Sequence, residues 1–145
     1  MARVLIVEDE IFVALDLENI LMSSGFAVSG IAADQASALA FASVSDVALV
    51  DVNLRDGPTG PAIARTLARQ YGISIIFVTA NPAQIGEFED LALEVVNKPF
   101  RADAIISSVQ HAATQAERSF RSTSRDDGGT FMPLYLNESS RRRES

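Results

Sequence analysis

Acidic side chains follow two short apolar segments, at the point where each segment ends. Glu8 and Asp9 come directly after residues 4–7, and Asp51 comes directly after residues 47–50. Three carboxylates brought close together repel one another and raise one another's pKa, so a cation is expected between them. The chain has no cysteine and one histidine, and oxygen ligands alone favour Mg2+, Mn2+ or Ca2+. The pattern therefore predicts a metal site built from Glu8, Asp9 and Asp51.

Two further polar side chains stand at the ends of apolar segments. Thr79 closes residues 73–79, and Lys98, the single lysine of the chain, follows residues 93–97. Aspartate carboxylates form phosphoryl intermediates, and phosphoryl transfer needs mainly alignment and charge neutralisation. Asp51 is therefore the expected nucleophile. Lys98 would supply a positive charge for the phosphoryl group, and the Thr79 hydroxyl would hydrogen-bond one of its oxygens.

The elements that must position these side chains are short β-branched segments alternating with helical patterns. The predicted strands are residues 4–7, 26–31, 47–50, 73–79 and 93–97. The predicted helices lie within residues 11–24, 34–43, 62–72 and 102–118. Uninterrupted apolar strands that alternate with helices predict a parallel sheet covered on both faces. Such α/β sheets carry their functional groups beyond the carboxyl ends of the strands, where all the candidate residues stand.

Composition excludes several classes of protein. The 145 residues, 48% of them apolar, suffice for one domain with a core. A net charge of -7 argues against sequence-independent binding to the phosphates of nucleic acid. The absence of cysteine excludes a disulfide framework and a thiol nucleophile. No apolar run approaches the length of a membrane span, so we expect a cytoplasmic protein without nucleic-acid or membrane partners.

The final stretch differs from the rest of the chain. Residues 119–124 are rich in serine, arginine and threonine, residues 126–129 contain two glycines, and residues 141–143 are all arginine. We therefore expect a domain over residues 1–118 and a flexible tail over residues 119–145, with an isolated apolar hexad at residues 131–136.

Four short motifs, in order and at strand ends, give the chain a family resemblance. They are Glu8-Asp9, Asp51-Val52-Asn53-Leu54, Phe77-Val78-Thr79-Ala80 and Lys98-Pro99-Phe100. With these motifs the chain resembles the receiver domain of two-component response regulators, here as a stand-alone receiver. The resemblance implies a flavodoxin-like (βα)5 fold, a doubly wound sheet of five parallel strands, with a cis peptide before Pro99.

The resemblance also implies a function for each motif. Asp51 would accept a phosphoryl group from a sensor histidine kinase or a histidine phosphotransfer protein. Mg2+ would be held by Asp9, Asp51 and the carbonyl of Asn53, with Glu8 assisting through water. Thr79 and Lys98 would contact the phosphoryl group.

The chain departs from the usual receiver pattern at several positions. The aromatic residue that turns inward on phosphorylation is replaced by Val95, and the proline common in the loop after the acceptor is replaced by Arg55. Residues 81–86 form helices poorly. These traits are similar to the alphaproteobacterial receivers known as the FAT GUY group, although Ala80 and Asn81 differ from its motif. We expect residues 82–91, rather than a swinging ring, to respond to phosphorylation.

Three functions are compatible with these residues. The first is a receiver that signals by protein contact to an unidentified partner, or that acts as a phosphate sink by removing phosphoryl groups from its kinase. Such a receiver is not an enzyme in the usual sense. The second is a phosphatase of the haloacid-dehalogenase type, which would need a second aspartate where Asn53 stands. The third is an adaptor that does not use the chemistry. His111 falls outside the apolar stripe of the last helix, so we expect a solvated residue rather than a phosphate carrier.

Overall fold

The computed structural model describes residues 2–127. Five strands run through the chain: β1 (Arg3–Val7), β2 (Ala27–Ala32), β3 (Val47–Val50), β4 (Ser74–Thr79) and β5 (Ala92–Asn97). Four α-helices accompany them: α1 (Ile11–Ser23), α2 (Gln35–Ala40), α3 (Gly60–Tyr71) and α4 (Ala102–Asp127). The strands match the predicted segments to within a residue or so at each end.

The five strands form one parallel sheet in the order β2-β1-β3-β4-β5. This is the flavodoxin-like order of a doubly wound sheet, so the predicted fold class is confirmed. The less apolar β2 lies at one edge of the sheet, and β5 lies at the other. In such a sheet the strand order reverses between β1 and β3, and the carboxyl ends of these two strands are the expected place for a site.

Successive residues of each buried strand serve opposite faces of the sheet. Leu5 and Val7 of β1 pack in a core with α2 and α3, whereas Val4 and Ile6 pack in a second core with α1 and α4. Because both faces are covered, every interior position of the central strands is apolar. The polar residues at the strand ends therefore stand out from their sequence surroundings.

Helix boundaries follow from local chemistry at several ends. The Asp34 carboxylate caps α2 by accepting from the backbone N–H of Ser37, and the Ser37 hydroxyl accepts in return from the N–H of Asp34. Helix α2 ends at Ala40, and a separate 3-10 turn, Ala42–Val44, follows it. The single helix predicted over residues 34–43 is therefore divided into two elements. Helix α3 ends at Gly72, whose positive φ of 69° forms a left-handed cap.

The connection between β4 and β5 contains 3-10 turns where a (βα)5 fold would have an α-helix. The turns are Pro82–Gln84 and Gly86–Leu91. Gly86 adopts a φ of 56°, which interrupts regular helix and suits glycine. The poor helix propensity of residues 81–86 predicted this irregularity. We refer to residues 81–90 as the β4–β5 connection.

Helix α4 continues to Asp127, past the predicted helix end near residue 118. The division into residues 1–118 and a flexible tail stays a prediction, because residues 128–145, including the apolar hexad, lie outside the described part of the chain. Among the described helices, none combines the length and the apolar character needed to cross a bilayer.

Candidate functional site

Backbone hydrogen bonds extend the sheet by one residue and bring the candidate side chains to one edge. The N–H of Asp51 donates to the carbonyl of Val7 over 3.0 Å, which carries the β1–β3 pairing on to the acidic residues. In the same way, the N–H of Lys98 donates to the carbonyl of Thr79 over 3.0 Å. The positions of Asp51 and Lys98 are thus set by strand pairing, not by loop conformation.

The Lys98 ammonium lies between two carboxylates. Its Nζ is 2.7 Å from Oε1 of Glu8 and 2.8 Å from Oδ2 of Asp51, and it is 3.8 Å from Oε1 of Glu10. Glu8 and Asp51 are buried, and 15% of the Lys98 side chain is exposed. The cation expected between the carboxylates is therefore supplied in part by the protein itself. Contacts this short, shielded from water, are charge-assisted hydrogen bonds.

Burial and charge act in opposite directions at this site. Burial raises the pKa of Glu8 above its ordinary value, although the hydrogen bonds from Lys98 and from the N–H of Glu10 favour the carboxylate. For Lys98, burial alone would lower the pKa, but the hydrogen bonds to Asp51 and Glu8 and their negative charges raise it overall. Lys98 is therefore fully charged at neutral pH and holds the two carboxylates close together.

The backbone around Asp51 is tightly packed. The Oδ1 of Asp51 accepts a hydrogen bond of 2.7 Å from the N–H of Val52, so both carboxylate oxygens have partners. Gly60, at the start of α3, lies against the Asp51 backbone, and a Cβ added there would be 1.9 Å from the Asp51 carbonyl oxygen. A side chain at this position would displace Asp51. This close approach is not visible in the local sequence pattern around Gly60.

Glu8, Asp9 and Asp51 each contribute a carboxylate oxygen to a cluster whose oxygens all lie within 4.8 Å of one another. With Lys98, the cluster combines three negative charges and one positive charge, which leaves a net negative charge for a divalent cation to neutralise. Oxygen donors of this kind fit Mg2+. Asp9 is exposed, so the cluster is open to solvent on one side.

Thr79 and Asn53 are placed near the site, but their side chains are hydrogen-bonded elsewhere. Thr79 is fully buried at the end of β4, and its hydroxyl oxygen accepts a hydrogen bond of 3.0 Å from the N–H of Asn81. The exposed Asn53 side chain donates to Oε1 of Gln84 over 2.8 Å. The structure thus joins Glu8, Asp51 and Lys98 by direct contacts, whereas Thr79 and Asn53 lie at neighbouring positions along the same edge.

A second polar group, which sequence reasoning missed, links β5 to α4. Glu94 accepts a hydrogen bond from the buried Ser108 hydroxyl through Oε1, and its Oε2 lies 2.8 Å from Nδ1 of His111. His111 is exposed as expected, but it is paired with a carboxylate. The alternation of side chains along β5 is the sequence signal that could have predicted Glu94 on the helix-covered face of the sheet.

The cis peptide between Lys98 and Pro99 is present, as the resemblance implied.

Comparison with known proteins gives the same family as the motifs at the strand ends. The family model described as response regulator receiver domain matches residues 4–110. The Phyllosphere-induced regulator PhyR of Methylorubrum extorquens is 32% identical over 124 residues, which cover 80% of this chain and 46% of that protein. The Sensory transduction protein RegX3 of Mycolicibacterium smegmatis is 33% identical over 115 residues, covering 76% of this chain and 50% of RegX3. The chain thus spans about half the length of these relatives.

Solved structures show the same fold. The response regulator PhyR from Brucella abortus superimposes with a TM-score of 0.77 at 30% identity, covering 86% of this chain and 53% of that one. The signal receiver domain of a modulated diguanylate cyclase from Desulfovibrio desulfuricans gives a TM-score of 0.75 at 28% identity, covering 82% and 98%. With the family match over most of its described length, the chain belongs to the response regulator receiver domain family of two-component signalling.

Proposed function

We propose that the chain accepts a phosphoryl group on Asp51 from a sensor histidine kinase or a histidine phosphotransfer protein, and passes the signal on by protein contact. The observation that carries this proposal is the position of Lys98, which lies within 2.8 Å of Asp51 and joins it to Glu8 beside Asp9. A buried aspartate beside a fixed ammonium and two further carboxylates is suited to phosphoryl transfer.

The transfer exchanges one bond to phosphorus for another. An oxygen of Asp51 forms a P–O bond as the P–N bond of the donor phosphohistidine breaks, and the imidazole nitrogen keeps the bonding electron pair. Lys98 already lies against the acceptor carboxylate, so its charge is in place for the phosphoryl oxygens without reorganisation. The Thr79 hydroxyl, at the end of the neighbouring strand, is proposed to donate to one of these oxygens.

The acidic cluster is proposed to hold Mg2+ through Asp9, Asp51 and the carbonyl of Asn53, with Glu8 assisting through water. Bound there, the ion would neutralise charge on the phosphoryl group and on the carboxylates.

Asn53 argues against the alternative function, a phosphatase of the haloacid-dehalogenase type. That chemistry needs a proton-transferring acid at this position, whereas an amide whose N–H is donated to Gln84 cannot transfer a proton.

Helix α1 presents an apolar surface next to the acceptor site. The helix begins two residues after Asp9, and its exposed apolar side chains are Ile11, Phe12, Leu15 and Met22. Exposed apolar residues grouped on one element mark a protein contact. We propose that this α1 surface, formed by those four residues, contacts the phosphodonor, because a partner bound there would lie beside Asp51.

The proposal is tested by intact-mass spectrometry after incubation with acetyl phosphate and Mg2+. One added phosphoryl group is expected on the wild-type chain and none on Asp51→Asn, and chelation of Mg2+ should abolish the addition. Asp56→Asn, a change to an exposed aspartate of the same loop, is the matched control and should be modified like the wild type. Equal modification of Asp51→Asn, or addition that is independent of metal, would refute the proposal.

A further inference from the structure

One side-chain hydrogen bond connects the loop after Asp51 to the β4–β5 connection. The Nδ2 of Asn53 donates to Oε1 of Gln84 over 2.8 Å, across 31 residues of sequence. Asn53 is two residues from the acceptor Asp51, and Gln84 ends the turn Pro82–Gln84. Both side chains are exposed, so the hydrogen bond contributes little to holding the fold together. Its position, in contrast, ties the acceptor loop to an irregular segment of the chain.

Gln84 directly precedes the anchor of the β4–β5 connection. Ile85 is buried in the core that α3 covers, and Phe88 is half-buried there with the Arg65 guanidinium 5.2 Å above its ring. The other residues of the connection are exposed. A segment fixed by so few side chains opens or shifts at low free-energy cost. A displacement of Gln84 would therefore also displace Ile85, the next residue of the chain.

The beginning of the connection is also held from the site. The N–H of Asn81 donates to the Thr79 hydroxyl over 3.0 Å. Two groups at the acceptor edge, the Asn53 amide and the Thr79 hydroxyl, thus contact the first residues of the connection. Because Val95 replaces the usual aromatic residue, these contacts offer a route from the site to the surface that needs no ring.

We propose that Gln84 is a positioning residue of the acceptor site, which holds the loop after Asp51 through Asn53 and couples the state of that loop to the β4–β5 connection. This inference rests on the proposed function, since the Asn53 carbonyl is there a Mg2+ ligand. Loss of the hydrogen bond would let the loop after Asp51 relax, and the site would then bind Mg2+ less tightly. The conformation of the β4–β5 connection would also no longer change when the state of the site changes.

The first test is a Mg2+ titration of the full chain, followed by NMR chemical shifts. Gln84→Ala and Asn53→Ala should each raise the Kd for Mg2+ by a factor of about 2 to 10. The double variant should be no weaker than the weaker single variant, because one hydrogen bond is lost in all three. Gln70→Ala, a change to an exposed glutamine of α3, is the matched control and should bind like the wild type. All variants should keep the wild-type melting temperature.

The second test is amide hydrogen exchange with and without beryllofluoride, a phosphoryl mimic. In the wild-type chain the mimic should change exchange within residues 81–90. In Gln84→Ala that change should be lost although the mimic still binds, and Gln84→Glu, which keeps the acceptor oxygen, should restore it.

Two sets of results would overturn the inference while leaving the proposed function intact. A Gln84→Ala chain with wild-type Mg2+ affinity and a wild-type exchange response would show that Gln84 positions nothing. Losses that multiply in the double variant would show that Asn53 and Gln84 act separately. A wild-type chain that binds neither Mg2+ nor the mimic would instead contradict the proposed function, and this inference with it.

Discussion

The Lys98 ammonium lies 2.8 Å from the carboxylate of Asp51, at the ends of two strands that are separated in the sheet by β4. The contact spans the edge of the sheet because the lysine side chain is long and the strand between ends in the small Thr79. Glu8, which follows β1, contacts the same ammonium at 2.7 Å. A single cation thus holds two buried carboxylates in place.

Replacing Lys98 by methionine should destabilise the chain. Glu8 and Asp51 would remain buried without their cation, so we expect a loss of about 2 kcal/mol in the free energy of unfolding. The loss should shrink as the pH falls, because burial raises the pKa of Glu8 and its protonation removes one of the uncompensated charges. The loss should also shrink when Mg2+ is added. Urea denaturation at several pH values measures both effects.

The matched control is Arg101→Met. Arg101 pairs with Asp103 on the surface, where the two side chains are 84% and 72% exposed, so its removal should leave the free energy of unfolding nearly unchanged. Equal unfolding midpoints for Lys98→Met and the wild type would show that the buried ion pair is not what holds the carboxylates.

Gly60→Ala should be among the most damaging single substitutions of the chain. The added Cβ would overlap the backbone carbonyl of Asp51, so we expect a loss of more than about 3 kcal/mol in unfolding free energy, together with loss of phosphoryl acceptance. Gly72→Ala is the comparison. Gly72 has a positive φ but nothing within 4 Å of an added Cβ, and its replacement should cost about 1 kcal/mol. Similar costs at the two positions would contradict the close packing described for Asp51.

Phe12→Ala should separate a protein phosphodonor from a small one. The Phe12 side chain is 84% exposed, so its removal should leave stability unchanged. Transfer from the kinase that phosphorylates the wild-type chain should slow by about fivefold or more, whereas acceptance from acetyl phosphate should not change. Leu93→Ala, at an exposed apolar residue of β5, is the control. Equal slowing with both donors would place the effect in the site and not on the α1 surface.

Glu94→Gln should change how stability depends on pH. The Ser108 hydroxyl first, and His111 second, stabilise the Glu94 carboxylate and lower its pKa below the ordinary 4.5. A carboxylate whose pKa is lowered by folding adds stability above its unfolded pKa, and that contribution disappears as the pH falls through the folded value. The difference in melting temperature between wild type and Glu94→Gln should therefore be present at pH 6 and shrink progressively as the pH falls below 4.5. The exposed Glu89→Gln should show no such trend, and a constant difference across this range would contradict the assignment.

The sheet and the candidate residues were predictable because buried parallel strands are short, apolar and end abruptly. Any polar residue that follows such a strand is conspicuous, as Asp51 and Lys98 are. The contact between Asn53 and Gln84 was not predictable, since it joins residues far apart in sequence on two irregular segments. The close approach of Gly60 to Asp51 depends in the same way on tertiary packing.

Helix α4 extends past residue 118 and runs through residues 119–124, which are rich in serine and arginine. Serine, threonine and arginine do not stop a helix that is already formed, so their presence alone does not predict where a helix ends. The division of the chain into a domain over residues 1–118 and a flexible tail over residues 119–145 stays a prediction.

The most direct test of the central claim is to identify the phosphorylated residue chemically. After incubation with acetyl phosphate and Mg2+, borohydride reduces an aspartyl phosphate to homoserine with release of phosphate, and peptide mass spectrometry locates the product. We predict homoserine at position 51 alone, and none when Mg2+ is chelated. Homoserine at Asp9 or at any other aspartate, with Asp51 unchanged, would contradict the assignment of Asp51 as the phosphoryl acceptor.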